Sequence, residues 1–324
     1  MIMHEAVLVQ LLRLVDCIPT PPPPQRRGRG HPRVYSDRLF LKALVIMIVR
    51  RLHRVYELLT VLDEPPMQPV RELLFEQGRF PSRRTFERRL KRLPETLPAQ
   101  IACLGRHLVA RLQPWAHCGR AVALDSTLLR AAGGVWHKKH REAGMVPHTS
   151  IDTEADWTKS GWHGWVYGWK LHLATTVAAV WIPLAARLTP ANEADNEVAP
   201  YLIEDLPEDV HFVLGDLHYN APNVREACEP ERFLVTTQRG KYPHSDEGVE
   251  VRRIFHKLRS VSIENFNEHF KGIFDAHGSV PTKGYIATAR FALGAIFVYQ
   301  LALLYRQEQG LDLNLGLKAF LKAA

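Results

Sequence analysis

The chain has 324 residues, 46% apolar and 23% charged, which excludes a disordered or a fibrous protein. Its 4 cysteines (Cys17, Cys103, Cys118, Cys228) lack Cys-x-x-Cys spacing, so reduced thiols in a cytoplasmic protein are expected, not a disulfide framework or a structural zinc site. The net charge of +8 is uneven: residues 1–115 hold 20 Lys+Arg against 10 Asp+Glu, and the rest hold 22 against 24. A basic N-terminal part beside a nearly neutral remainder points to a polyanion-binding half joined to a half with another task.

Residues 1–15 predict a short amphipathic helix without the basic start of a signal peptide. Pro21-Pro22-Pro23-Pro24 then forms a semi-rigid spacer. The Arg/Gly stretch up to Arg33 is a cationic arm, suited to a phosphate backbone or a minor groove, or a plain linker. Ser36 or Asp37 is placed to cap one long buried helix over residues 38–62, which Pro65 and Pro66 end. A short helix near 69–76 follows.

Ser82 caps the next helix. Phe86, Leu90 and Leu93 share one of its faces, while Arg83, Arg84, Arg88, Arg89, Lys91 and Arg92 cover the others. That pattern is the one a helix-turn-helix recognition helix shows, and DNA contact is expected there. A helix over 97–112 closes this part. The boundaries read as 1–35 (helix and Pro/Arg-rich arm), 36–115 (helical DNA-binding domain) and 116–324 (catalytic domain with C-terminal helices).

From residue 118 strands dominate. Ala121–Asp125 is a short apolar strand that ends on a carboxylate. A loop over 128–166 is rich in His, Lys, Trp and Gly, and DNA contact is expected of it. His137, His140 and His148 offer a weaker zinc alternative, since no cysteine completes the set. Tyr167–Thr176 alternates, with Trp169, Leu171 and Leu173 opposite Lys170 and His172, and 177–188 is its antiparallel partner. A helix (197–204), a strand (210–216), a helix (221–228) and a strand (232–237) complete a mixed α/β sheet. The apolar runs Leu39–Val49 and Phe291–Tyr305, the second holding Gln300, fall short of the roughly 20 residues of a spanning helix, so both read as core helices and no membrane is expected.

Three acids stand out. Asp125 and Asp216 each end an apolar strand, and a buried acid is costly unless something pairs with it. In Ser262–Lys271, Ile263, Phe266 and Phe270 make an apolar stripe, while Glu264, Glu268 and Lys271 occupy another side. Hard carboxylate oxygens suit Mg²⁺, and two such ions can serve an in-line phosphoryl displacement.

The order ALDST, YGWKLH, VLGD, IENFNEHFK resembles the DDE transposases of bacterial insertion sequences. The resemblance implies a ribonuclease H-like catalytic domain. It implies Asp125, Asp216 and Glu264 as catalytic metal ligands for two Mg²⁺, with Mn²⁺ able to substitute, and Lys271 as a DNA contact. Arg83, Arg84, Arg88 and Arg89, and beside the site Lys170 and His172, are further expected DNA contacts. Function follows as binding of terminal inverted repeats, cleavage and strand transfer, with double-stranded DNA and a synaptic homodimer as partners, and a cytoplasmic, nucleoid-associated setting. A nuclease without strand transfer and an inactive DNA-binding descendant are the alternatives. Two departures exist: the 48 positions from Asp216 to Glu264 (264 − 216) leave no room for the large β-rich insertion some members carry there, and the signature differs. The longer signature of some members puts Tyr and Arg seven and four residues before the Glu, where this chain has Lys257 and Ser260, with Arg259 one residue out of register.

Overall fold

The computed structural model describes residues 2–22, 34–116, 119–161, 163–236, 246–313 and 316–323. The Arg/Gly arm and Cys118 lie outside the described residues.

Helix α1 (Ile2–Cys17) buries Leu8, Leu11, Leu12 and Val15. Its last carbonyls would lack partners, and the Arg38 guanidinium supplies them by donating to Val15, Asp16 and Ile18. Arg38 belongs to α2 (Asp37–Val49), whose first turn is capped by the Ser36 hydroxyl. The single helix expected over 38–62 is two. The chain turns at Arg51, which takes a left-handed φ of 57°, and resumes as α3 (Val55–Leu62). Glu57 accepts from the His53 and Arg54 backbone N–H groups and so fixes the new helix start.

After α4 (Gln68–Glu72) comes α5 (Arg83–Arg92), with Ser82 as cap and Phe86 and Leu90 buried. Helix α6 (Leu97–Ala116) then leads into the sheet.

The sheet has six strands: β1 (Ala121–Arg130), β2 (Asp156–Ser160), β3 (Gly164–Thr176), β4 (Pro183–Pro190), β5 (Phe212–Gly215) and β6 (Phe233–Thr236). Its order is β2-β3-β1-β5-β6, with β4 also on β3. Strands β1 to β4 pair antiparallel, while β5 and β6 extend the sheet in parallel. The parallel crossovers are α8 (Asp195–Glu204) and α9 (Pro222–Cys228).

Strand β1 does not end at Asp125, as its sequence suggests. It runs on to Arg130 because β3 continues to pair with it. What ends is the pairing with β5, at Ala123 opposite Leu214. The loop expected over 128–166 also holds structure: α7 (Lys138–Glu142) and β2. Asp152 and Glu154 accept from the Gly284 and Tyr285 backbone N–H groups and so cap α12 (Tyr285–Glu308).

Helix α12 is long and apolar enough to cross a membrane, but 83% of that window is buried in the protein, so it is a core helix. It packs on α1, α2, α6 and β4, so one hydrophobic core joins the N-terminal helices to the sheet. Gln300 in its middle donates to the Ile101 carbonyl at 2.9 Å and the Pro183 carbonyl at 2.7 Å, which satisfies its amide N–H groups within an apolar run. The remaining helices are α10 (Asp246–Arg259), α11 (Asn265–Phe274) and α13 (Leu317–Ala323).

Candidate active site

Asp125 lies just past the point where β1 loses β5, so its carboxylate faces the gap that opens between them. Asp216 follows the last residue of β5, and its Oδ1 accepts from the His218 backbone N–H at 2.8 Å. Gly215 before it has no room for a side chain. A Cβ there would meet Tyr219 Cβ at 2.6 Å, so the glycine lets Tyr219 fold beneath the strand end. The Tyr219 ring is 1% exposed and its hydroxyl has no hydrogen-bond partner. Burial pushes that phenol well above its usual range, and Asp195, Asp125 and Asp216 add to the effect.

Burial raises Asp125 to about 7, the Arg259 guanidinium opposes this, and Asp216 and Asp195 reinforce it.

Helix α11 faces them. Asn267 Nδ2 donates to Asp125 Oδ2 at 3.0 Å. Glu264, Asn267 and Lys271 stand at i, i+3 and i+7, so one helix face carries all three toward β1. Burial lowers the Lys271 ammonium, while Glu268 and Asp125 hold it up, which fits a cation beside that acid. Glu268 leaves this face: its side chain is 69% exposed and lies 4.0 Å from both Lys271 and His277. Asn267 is the residue that sequence reasoning missed. Its place between Glu264 and Lys271 on the helical repeat was the available signal.

Glu264 ends a π-helical turn, Ser260–Glu264. Such a turn spaces partners by five residues instead of four. The Ser262 hydroxyl donates to the Leu258 and Arg259 carbonyls, and the Asn265 amide to the Val261 carbonyl, so the widened turn keeps its acceptors satisfied. The extra residue returns Arg259 to Glu264. Arg259 Nη2 bonds Glu264 Oε1, and Ser260 Oγ donates to Oε2 at 3.0 Å.

Among the described residues no three His, Cys, Asp or Glu side chains converge closely enough to hold a metal ion. The metal set expected from sequence, Asp125, Asp216 and Glu264, is thus not assembled as one cluster. The visible reason is that Glu264 is turned onto Arg259. The donor chemistry nonetheless suits a hard divalent cation. All three are carboxylates, and the buried Asn267 Oδ1 beside Asp125 has no hydrogen-bond partner among the described residues.

The expected DNA contacts divide. Arg83, Arg84 and Arg88 are exposed on α5, with Arg83 paired to Glu87 at 2.8 Å. Arg89 instead pairs with Asp37 and lies 4.5 Å over the Phe40 ring, so it holds α5 to α2. His172 is 0% exposed, its Nε2 2.8 Å from Thr189 Oγ1, and burial depresses it to about 4. A ring so enclosed has no surface to offer DNA. Lys170 donates to the Glu193 carbonyl at 2.8 Å and lies 3.2 Å from Asp195. Lys170 thus anchors Asp195 at the start of α8, with the neutral His172 ring packed beside it.

The fold is of the mixed α/β class, with two acids at neighbouring strands and a helix that hydrogen-bonds one of them. Within that class the assignment is specific. The family model for the transposase DDE domain matches residues 116–301, more than half of the chain, and the chain belongs to this family. No curated protein matches. Among solved structures, the Mos1 transposase paired-end complex with left transposon end is 15% identical, with 86% of this chain and 81% of that chain covered and a TM-score of 0.21. The Mos1 mariner paired end complex with Mn is 13% identical, covers 88% and 82%, and has a TM-score of 0.21. Likeness at that level carries no structural argument.

Proposed function

We propose that the chain is an insertion-sequence transposase that recognises the terminal inverted repeats of its element, cuts the DNA there and joins the ends to a target. The observation that carries this reading is the Asn267–Asp125 hydrogen bond, which turns the Glu264/Asn267/Lys271 face onto the acid of β1. The strand order, antiparallel then parallel, supports a ribonuclease H-like domain over 116–324. Asp125, Asp216 and Glu264 are the proposed catalytic carboxylates and would hold two Mg²⁺, or Mn²⁺. Bound divalent cations supply activation of the attacking oxygen and stabilisation of the leaving one.

The chain's own residues orient the rest. Asn267 fixes the side chain of Asp125, and Lys271 offers an ammonium to a DNA phosphate. In the first step a water oxygen bonds to phosphorus as the P–O3′ bond breaks, which frees a 3′-hydroxyl. In the second step that hydroxyl oxygen bonds to a target phosphorus and displaces the target's own 3′-oxygen. Arg84 and Arg88, with Arg83, are the proposed DNA-facing residues of the helical part, 36–115. Synapsis of two ends calls for a homodimer.

Incubation with element-end DNA and Mg²⁺ tests the reading. Joined products are expected. Cleavage alone would make the chain a nuclease, and binding alone an inactive descendant.

A pH dependence also follows. Metal must displace the Asp125 proton below pH about 7, so divalent affinity is expected to fall about tenfold per pH unit below that point and to level off above it. Calorimetric titration with Mn²⁺ at pH 6 and pH 8 checks it.

A further inference from the structure

We propose that Arg259 is a positioning residue of the carboxylate centre, an internal cation that holds Glu264, faces Asp125, and leaves this position when a divalent metal binds. The inference rests on the reading of Asp125, Asp216 and Glu264 as the acids that hold metal.

The Arg259 side chain is only 13% exposed, so it is built into the site and is not a surface arm. Its guanidinium is bonded to Glu264, and among the charges that act on Asp125 it is the foremost favourable one. Its field also reaches Tyr219. Arg259 thus holds Glu264 on the π-turn, which packs against β1 and β3.

The backbone is arranged to keep it there. In an α-helix a residue five positions back stands about 140° around the axis from the one it should face. The π-turn absorbs that residue and brings Arg259 against Glu264. Ser260 takes the second Glu264 oxygen, so both oxygens are engaged. Nearby, two nearly enclosed groups have no partner: the Asn267 amide oxygen, on a residue 6% exposed, and the Tyr219 hydroxyl. Asn267 is fastened to Asp125, so its free oxygen lies at the same centre. Both polar atoms are free to pair with a further polar occupant.

The sign of the effect separates this role from the alternatives. A divalent cation about 2.1 Å from a Glu264 oxygen and a guanidinium bonded to that carboxylate are two positive charges in close contact, and they repel. Removal of a competitor tightens metal binding. Removal of a residue that merely supports the ligands from behind loosens it.

The experiment is Mn²⁺ titration of the full chain by calorimetry without DNA, for wild type, Arg259→Gln and Asp125→Asn, with unfolding temperatures read with and without Mn²⁺. Arg259→Gln is expected to bind Mn²⁺ about tenfold more tightly, with a larger Mn²⁺-induced rise in unfolding temperature. Asp125→Asn is expected to bind about tenfold more weakly or worse. Equal or weaker binding by Arg259→Gln, with binding lost in Asp125→Asn, overturns the proposal and leaves the site reading intact. Wild-type binding by Asp125→Asn overturns the site reading, and the proposal with it. Should Arg259→Gln not fold, Arg259→Met, which keeps the aliphatic stem, is read by the same criterion: tighter binding supports the proposal, and equal or weaker binding overturns it.

Discussion

Asp125→Asn is expected to abolish end cleavage and joining and, in EDTA at pH 8, to make the protein more stable. The two effects share one cause. Burial holds the folded-state carboxyl of Asp125 at about 7, above its ordinary 3.8, so the folded protein keeps a proton that the unfolded chain has released. Between those values stability falls as pH rises, and above pH 7 the folded state carries an unneutralised charge. Asparagine has the same shape without the charge, and its carbonyl can still accept from Asn267. The gain should be on the order of 2 kcal/mol at pH 8, discounted for partial solvent access, and a few degrees in unfolding temperature. At pH 4 the difference should vanish. Activity should fall at least about 10³-fold, because a proposed metal ligand is gone. Thermal unfolding at the two pH values, beside an end-joining assay, reads both. Lower stability of the variant at pH 8 would mean that Asp125 is compensated in the folded protein.

Phe266→Ala is expected to cost about 3–5 kcal/mol of stability, the range for emptying an aromatic site in a core. Phe266 is 0% exposed, lies 5.1 Å from the Tyr299 ring of α12 and stacks at 6.2 Å on Phe270. It is the main fastening of α11 to the core beside the site. Asn267 follows it directly, so the cavity should also loosen the hydrogen bond to Asp125. Urea unfolding measures the first effect. End cleavage well below the unfolding transition measures the second, and unaltered cleavage would show that other contacts hold the helix in register.

Much of this was legible in the sequence wherever a local pattern and a tertiary need coincide. The strands around Asp125 and Asp216 are short apolar runs between turn residues, and β3 alternates, so all were readable by period. The Ser82 cap fixed the start of α5. Features that depend on distant partners were not readable. The break at Arg51 comes with a left-handed backbone and an ion pair to the distant Asp275, neither of which a local pattern signals. Continuation of β1 past Asp125 depends on β3, and the burial of His172 on Thr189 and Asp195. The pairing of Glu264 with Arg259 was hidden because spacing rules assume α-helical turns, and this one is π.

That turn also bears on how such chains change over generations. A helix that can widen by one residue between Arg259 and Glu264 can host the gain or loss of a single codon without moving either end. Distances along such a segment are therefore better measured in turns than in residues. By that measure, the arginine that looked misplaced before Glu264 stands where the helix needs it.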